Sequence, residues 1–232
     1  MIYMKAQADI ISSVIIIIIA ITLVSTAYMW GMPLIRKRQD TALVERAYKF
    51  FDRNNFNSIV KKIEYIAKNG GEDTFSIDIN GVWTFYPCPA TDGGGCSCDS
   101  SIPGLETCVS GNNSIQFSFF SKVSNIAVDE GWVSLSTANT NTVGTVGVDD
   151  ASVVWARSDR AGDGFNITYK VWFRELDESP TKGYKINLIA PSAIPPEIKA
   201  STGKSIRISH VGTRILSDGK TLIITEIKIF LI

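Results

Sequence analysis

From Ile10 to Ile35, 26 consecutive residues carry no charged side chain; Asp9 precedes them and Arg36 follows. Inside that run, Val14 to Ile21 is almost pure isoleucine. A helix of this length reaches roughly 39 Å, and about 20 such residues suffice to cross the hydrocarbon core of a bilayer. Isoleucine is a mediocre helix former in water, because its branched Cβ restricts χ1. In lipid every backbone group has to be satisfied within the segment, so the helix is imposed regardless of propensity. The alternative, a central helix buried in a large soluble core, leaves too little chain to surround it. Tyr28-Met29-Trp30 stands where an interfacial aromatic belt would lie. Pro33 lacks an amide hydrogen and crowds the preceding turn, which predicts a kink or a short melted stretch there. Ser25-Thr26-Ala27 is a small-x-small triplet of the kind a secretory peptidase cuts. The apolar run continues past it, well beyond the usual stretch of about 7–15 residues, which argues for a retained helix.

After Arg36 the pattern turns amphipathic. Leu43, Val44, Ala47, Phe50 and Phe51 recur at helical spacing, as do Phe56, Ile59, Val60, Ile63 and Ile66. Charges such as Arg46, Lys49, Lys61 and Glu64 take the opposite face. Asn54-Asn55 is a candidate interruption, and Asn69-Gly70-Gly71 a stop. The predicted layout is one long helix, broken at most once, across residues 7–70.

Residues 71–232 read as strands. Phe75 to Phe85 alternates around Asn80-Gly81, a hairpin signal. Further strands are predicted at Ser114–Val123, Trp132–Thr137, Ser152–Arg157, Phe165–Leu176 and Tyr184–Ile189. Ser205–Leu216 and Thr221–Ile232 flank the turn Ser217-Asp218-Gly219-Lys220. The last strand is apolar on both faces and belongs in the middle of a sheet. Ser134–Thr145 and the proline-rich Pro191 to Pro196 read as surface loops. The fold class is α+β: a long hydrophobic N-terminal helix followed by an antiparallel β-sandwich-like head.

Cys88, Cys96, Cys98 and Cys108 share one loop rich in Pro, Gly, Ser and Asp, spaced C-x7-C-x-C-x9-C. Zinc ribbons use paired C-x2–4-C elements, so a disulfide staple is favoured over metal. A Cys96–Cys98 ring is strained. The remaining pairings are Cys88–Cys96 with Cys98–Cys108, or Cys88–Cys98 with Cys96–Cys108. Disulfides place the domain outside a reducing cytosol. Two glycosylation sequons, at Asn112 and Asn166, point the same way. The basic cluster Arg36-Lys37-Arg38 pulls against this topology under the positive-inside rule; cysteines and sequons together outweigh it.

The 23 basic and 23 acidic side chains balance, which gives no argument for nucleic acid or an acidic partner. His210 is the single histidine and lies in an alternating strand pattern, so histidine-based catalytic and metal constellations are absent. No nucleophile elbow, phosphate loop or metal-ligand cluster appears. Asp92-Gly93-Gly94-Gly95 does not open a helix. Asp149-Asp150 and Asp177-Glu178 read as turn residues, and Asp159 with Asp163 is a thin candidate for calcium. No cofactor and no enzymatic activity are expected.

The N-terminus Lys5-Ala6-Gln7-Ala8-Asp9, leading straight into the apolar run, resembles the class III signal peptides of archaeal type IV pilin-like proteins. Trp30-Gly31-Met32-Pro33-Leu34-Ile35-Arg36-Lys37-Arg38-Gln39-Asp40 is similar to the helix exit of that family. The resemblance covers roughly residues 1–40. It implies a leader of residues 1–6, removed by a prepilin peptidase between Ala6 and Gln7, with Asp9 as the acidic residue near the new terminus. The leader is short and Asp9 stands where the family often has glutamate. The resemblance further implies membrane insertion before assembly, and extraction by an ATPase-driven membrane platform. It then implies self-association into an extracellular filament through Val14, Ile15, Ile16, Ile17, Ile18, Ile19, Ile21, Leu23 and Val24. Such filaments serve adhesion and surface attachment. The competing expectation is a minor pilin or a membrane-anchored surface protein acting as a binding module.

Overall fold

The computed structural model describes residues 2–87, 113–136, 140–141, 143–191 and 199–232, with backbone alone for 2–11, 199 and 218. The four cysteines, Asn112 and the Asp92–Gly95 run lie outside the described residues. The chain divides into two compact units, Met1–Ala42 and Leu43–Ile232.

Helix α1 runs from Ile2 to Phe51 and stays helical through Gly31-Met32-Pro33. The melted stretch expected at Pro33 does not form. One absent donor in a 50-residue helix does not outweigh propagation on both sides of it. The predicted break at Asn54-Asn55 is present. Asp52 accepts from the Asn54 amide at 3.0 Å and Asn55 from the Asn57 amide at 3.0 Å, turns that compete with the helical ladder. Ser58 then caps α2 (Ile59–Asn69) by accepting from the Lys61 amide. Gly70, at φ +76°, ends it by donating to the Ile66 carbonyl at 2.8 Å. Phe56 was placed on the buried stripe, but it falls in this turn and is 89 % exposed.

Two six-stranded sheets follow. In spatial order the first is β1 (Glu72–Ser76), β11 (Ser205–Asp218), β12 (Lys220–Leu231), β9 (Lys182–Ile189), β8 (Glu175–Ser179) and β5 (Val143–Thr145). The second is β10 (Lys199–Ser201), β2 (Val82–Tyr86), β3 (Ser114–Ser121), β7 (Gly164–Phe173), β6 (Ser152–Ala161) and β4 (Val133–Ser134). Most pairings are antiparallel, but β12 with β9 and β5 with β8 are parallel, so the sheet structure is mixed rather than purely antiparallel. The β11–β12 hairpin turns at Gly219, φ +70°, and β12 is central, as its two apolar faces predict.

Two strand predictions fail for a shared reason: the chain changes sheet where a hairpin or a single strand was read. Asn80-Gly81 is no hairpin, because β1 pairs with β11 and β2 pairs with β3 and β10. Ile77 and Ile79 are both buried, so the crossing segment is held by its side chains rather than by a two-residue turn. Gly81 is required for close approach: a Cβ there would meet Phe117 Cζ at 2.4 Å and the Ser118 carbonyl oxygen at 2.6 Å. The strand predicted over Phe165–Leu176 splits at Arg174 into β7 and β8, one in each sheet. Arg174 donates from Nε to the Asp150 carbonyl at 2.7 Å and from Nη1 to the Asn141 carbonyl at 3.0 Å, which fixes the corner. Of Trp132–Ser136, the described part of the predicted Trp132–Thr137 strand, only Val133–Ser134 is strand, and part of the predicted surface loop forms β5.

One hydrophobic cluster unites both sheets with the helical segment of the Leu43–Ile232 unit. Val44, Ala47 and Phe51 enter it at helical spacing. Phe51 stacks on Tyr169 at 4.9 Å between centroids and 8° between planes, with Trp83 and Phe117 beside it. Asn113, buried at φ +70°, ties the sheets together. Its side-chain nitrogen donates to the Phe173 carbonyl of β7 and the Ile186 carbonyl of β9, each at 2.8 Å. Its oxygen accepts from the Leu188 amide of β9 at 2.7 Å. Asn113→Ala strands three buried backbone groups, and the expected cost is about 3 kcal/mol. Urea unfolding of the variant against the parent protein measures it.

Candidate assembly helix and a buried lysine

A continuous exposed apolar surface lies on α1. Val14, Ile15 to Ile19, Ile21, Leu23 and Val24 are each 49–69 % exposed, followed by Tyr28, Met29, Trp30, Leu34 and Ile35. This helix is long enough and apolar enough to cross a bilayer, and none of its apolar stretch is buried within the protein. Two of its polar interruptions are satisfied within the helix. Thr22 donates from Oγ1 to the Ile18 carbonyl at 2.7 Å, and Thr26 to the Thr22 carbonyl at 2.8 Å. A hydroxyl bonded back to its own helix presents mainly its methyl outward, which suits lipid or a dry helix–helix contact. The residues expected to form a filament core therefore lie together on one uncovered helix. Ala6 and Gln7 also fall within α1, described by backbone only.

The other residues singled out from the sequence disperse into structural roles. Asp150 pairs with Arg53 at 2.6 Å and Asp149 approaches Arg174 at 3.6 Å, so this acidic pair anchors two arginines. Asp177 binds Lys220, and Glu178 accepts from Lys182 at 2.7 Å and from the Tyr184 hydroxyl at 2.8 Å. Asp159 pairs with Arg157 and Asp163 with Lys122, leaving no shared cation cage. Among the described residues no group of three or more His, Cys, Asp or Glu side chains converges on one point. His210 is a strand residue whose amide donates to the Gly71 carbonyl. Asn166 is exposed on β7, and the Thr168 of its sequon is buried, sharing a hydrogen bond with Ser118 at 2.8 Å.

Lys170 was not foreseen. It stands on β7 at an alternating position that reads as solvent-facing, yet it is fully buried. Val153, Trp155 and Trp172 form a second small core, with Trp132 packed on it. The Lys170 ammonium nitrogen lies 5.7 Å from the Trp132 ring centre and 5.8 Å from that of Tyr86, and makes no hydrogen bond among the described residues. Two aromatic faces replace its water shell. Only the abundance of tryptophan in the neighbouring strands hinted at such a cover. Burial pushes the amine down to about 7. Among the described residues no acid or base bonds to the amine.

The stability consequence has a definite sign. The unfolded chain holds this proton up to an ordinary lysine pKa, whereas the folded chain releases it near pH 7. Between those limits the unfolded state binds more protons, so Lys170 makes stability rise with pH from about 7 toward 10. Lys170→Met is expected to stabilise the protein below pH 7 and to flatten that rise. Urea midpoints of both proteins across pH 6 to 9.5 test it.

Comparison of the chain with protein-family models, with curated proteins and with solved structures finds no match.

Proposed function

We propose that this chain is a structural subunit of an extracellular type IV pilus-like filament, polymerised through its N-terminal helix and serving adhesion or surface attachment. One observation carries the reading: a helix with an uncharged, outward-facing isoleucine surface, in a chain whose β-rich unit has its own closed core. Such a surface has two stable environments, lipid and other copies of itself, and a pilin uses both in turn. The leader resemblance at Ala6-Gln7 supplies the route between them: a prepilin peptidase releases the mature chain, and an assembly ATPase with its membrane platform transfers the helix from the cytoplasmic membrane to the filament core. The β-rich head then forms the outer surface, with the cysteine loop as disulfide staples and Asn112 and Asn166 as glycan acceptors. The role is mechanical rather than catalytic, without cofactor or nucleic acid.

Intact mass and N-terminal sequencing of protein sheared from cells test the proposal. The expected product starts at Gln7, sits in a high-molecular-weight fraction, and is lighter than the reduced chain by about four hydrogens for two disulfides. A chain that starts at Met1 and is found only in washed membranes overturns the filament and leaves an anchored surface protein. Ile17→Lys separates the two states further. A lysine in mid-helix costs about 2.5–3.5 kcal/mol in a bilayer, which a membrane-inserted helix can partly relieve by snorkelling. In a packed filament core the repeated charge has no such relief, so sheared filaments should vanish while membrane-bound chain persists.

A further inference from the structure

Lys170 is a buried cation with no described group to bond. It is fully buried on β7, with Gln116 of β3 and Trp155 of β6 as its cross-strand neighbours and Trp172 two residues along on the same face. An ammonium carries three N–H donors and no acceptor. None of them finds a partner among the described residues. A buried donor left unmade costs free energy, and more so on a charged group. Arg174, also buried, is treated differently: it donates to two carbonyls and lies beside Asp149.

The surroundings of the Lys170 nitrogen are aromatic instead. Nζ stands 5.7 Å from the Trp132 ring centre and 5.8 Å from that of Tyr86. An N–C bond of about 1.5 Å followed by a van der Waals contact of about 3.5–4.0 Å spans about 5–5.5 Å. Each of the two gaps therefore has the depth of one methyl group. Aromatic faces without acceptors suit a methylated ammonium, which keeps its charge while its N–H donors are replaced one by one.

We propose that Lys170 is a modification site, carried in the mature protein as Nζ-dimethyl-lysine with one methyl turned to Trp132 and the other to Tyr86. Two of the three donors that lack acceptors disappear, and the charge spreads onto methyl groups that touch the rings. The co-reactant is a sulfonium methyl donor. The neutral amine attacks the methyl carbon, and the N–C bond forms as the C–S bond breaks. Sulfur keeps the electron pair and leaves as a thioether, and the proton displaced from nitrogen passes to water. A second round adds the second methyl. Full burial dates the transfer: it acts on the chain before the β-rich unit closes over the amine. A chain made without the donor keeps the free amine and its titration near pH 7. The assignment involves no residue of α1, so it stands or falls separately from the filament reading.

Mass spectrometry of the full chain, purified from the cells that make it, is the test. Cleavage before aspartate releases residues 163–176, in which Lys170 is the only lysine. The expected fragment is heavier by about 28 Da, two methyl groups, counted apart from any glycan on Asn166 and placed on Lys170 by its fragment ions. Lys122 and Lys204, whose side chains are each 55 % exposed, should be unmodified. An unmodified Lys170 overturns the proposal, as does a count other than two methyl groups. An acetylated Lys170 overturns it too, because the amide is uncharged and has no use for two ring faces. Methylation spread equally over Lys122 and Lys204 has the same consequence, since neither of those lysines is buried among aromatic rings.

Discussion

The β-rich unit is organised by the burial of Phe51, the final residue of α1. Its ring lies flat on Tyr169 and reaches Trp83 and Phe117, so three strands of one sheet close around the end of a helix. Four residues earlier Ala47 is equally buried, and α2 packs against β1, β11 and β12 of the other sheet. The two sheets are therefore not filled by their own side chains alone. The helical segment supplies Val44, Ala47, Phe51, Ile59, Val60, Ile63 and Ile66 to the shared cluster. Truncating a ring placed as Phe51 is costs about 3–5 kcal/mol, a large share of the stability of an ordinary domain. The turn between the helices is fastened by charge as well. Arg53 reaches Glu64 at 3.1 Å, Asp150 at 2.6 Å and the Ser152 carbonyl at 2.6 Å, linking the helix break to β6.

That arrangement explains why the acidic pairs look more interesting in the sequence than they prove in the fold. A protein that joins one mixed sheet, one antiparallel sheet and a helix has many corners, and each leaves backbone carbonyls and amides to satisfy. Arg174 and Arg53 meet those needs by donating to carbonyls, Asp149 and Asp150 neutralise them, and Glu175 and Asp177 pair with Lys220. The carboxylates are spent on structure. Lys170 is the exception: among the described residues it gains no carboxylate, and burial makes its proton easier to lose.

What the sequence revealed divides along the range of the interactions. Local signals were legible. The charge-free run, the Asn54-Asn55 break, the stop at Gly70 and the Gly219 hairpin each follow from neighbours in the chain. Non-local choices were not. Nothing in Phe75 to Phe85 distinguishes a hairpin from a sheet crossing, because Asn80-Gly81 suits both; the decision rests with Phe117, whose ring occupies the space a Cβ at Gly81 would need. The split at Arg174 depends on carbonyls at Asp150 and Asn141, which alternation cannot foresee. The parallel β9–β12 pair joins strands separated by β10 and β11, again invisible to local pattern. The exposed helix was the most legible part of the candidate site, since hydropathy needs no partner to be read. The buried lysine was the least, since it is defined by what lies across from it.

The helix also accounts for its own composition. In water, a run of isoleucines has no advantage over leucine or alanine and loses rotamer freedom for nothing. Against other helices, each β-branched side chain is already restricted to one rotamer, so less entropy remains to be lost when neighbours close around it. A surface meant to leave one apolar environment and enter another gains from being stiff, uncharged and free of unsatisfied hydroxyls, as Thr22 and Thr26 are here. A permanent anchor needs only length and hydropathy. On the filament proposal, the concentration of branched residues from Val14 to Ile21 lies where copies of the helix would pack.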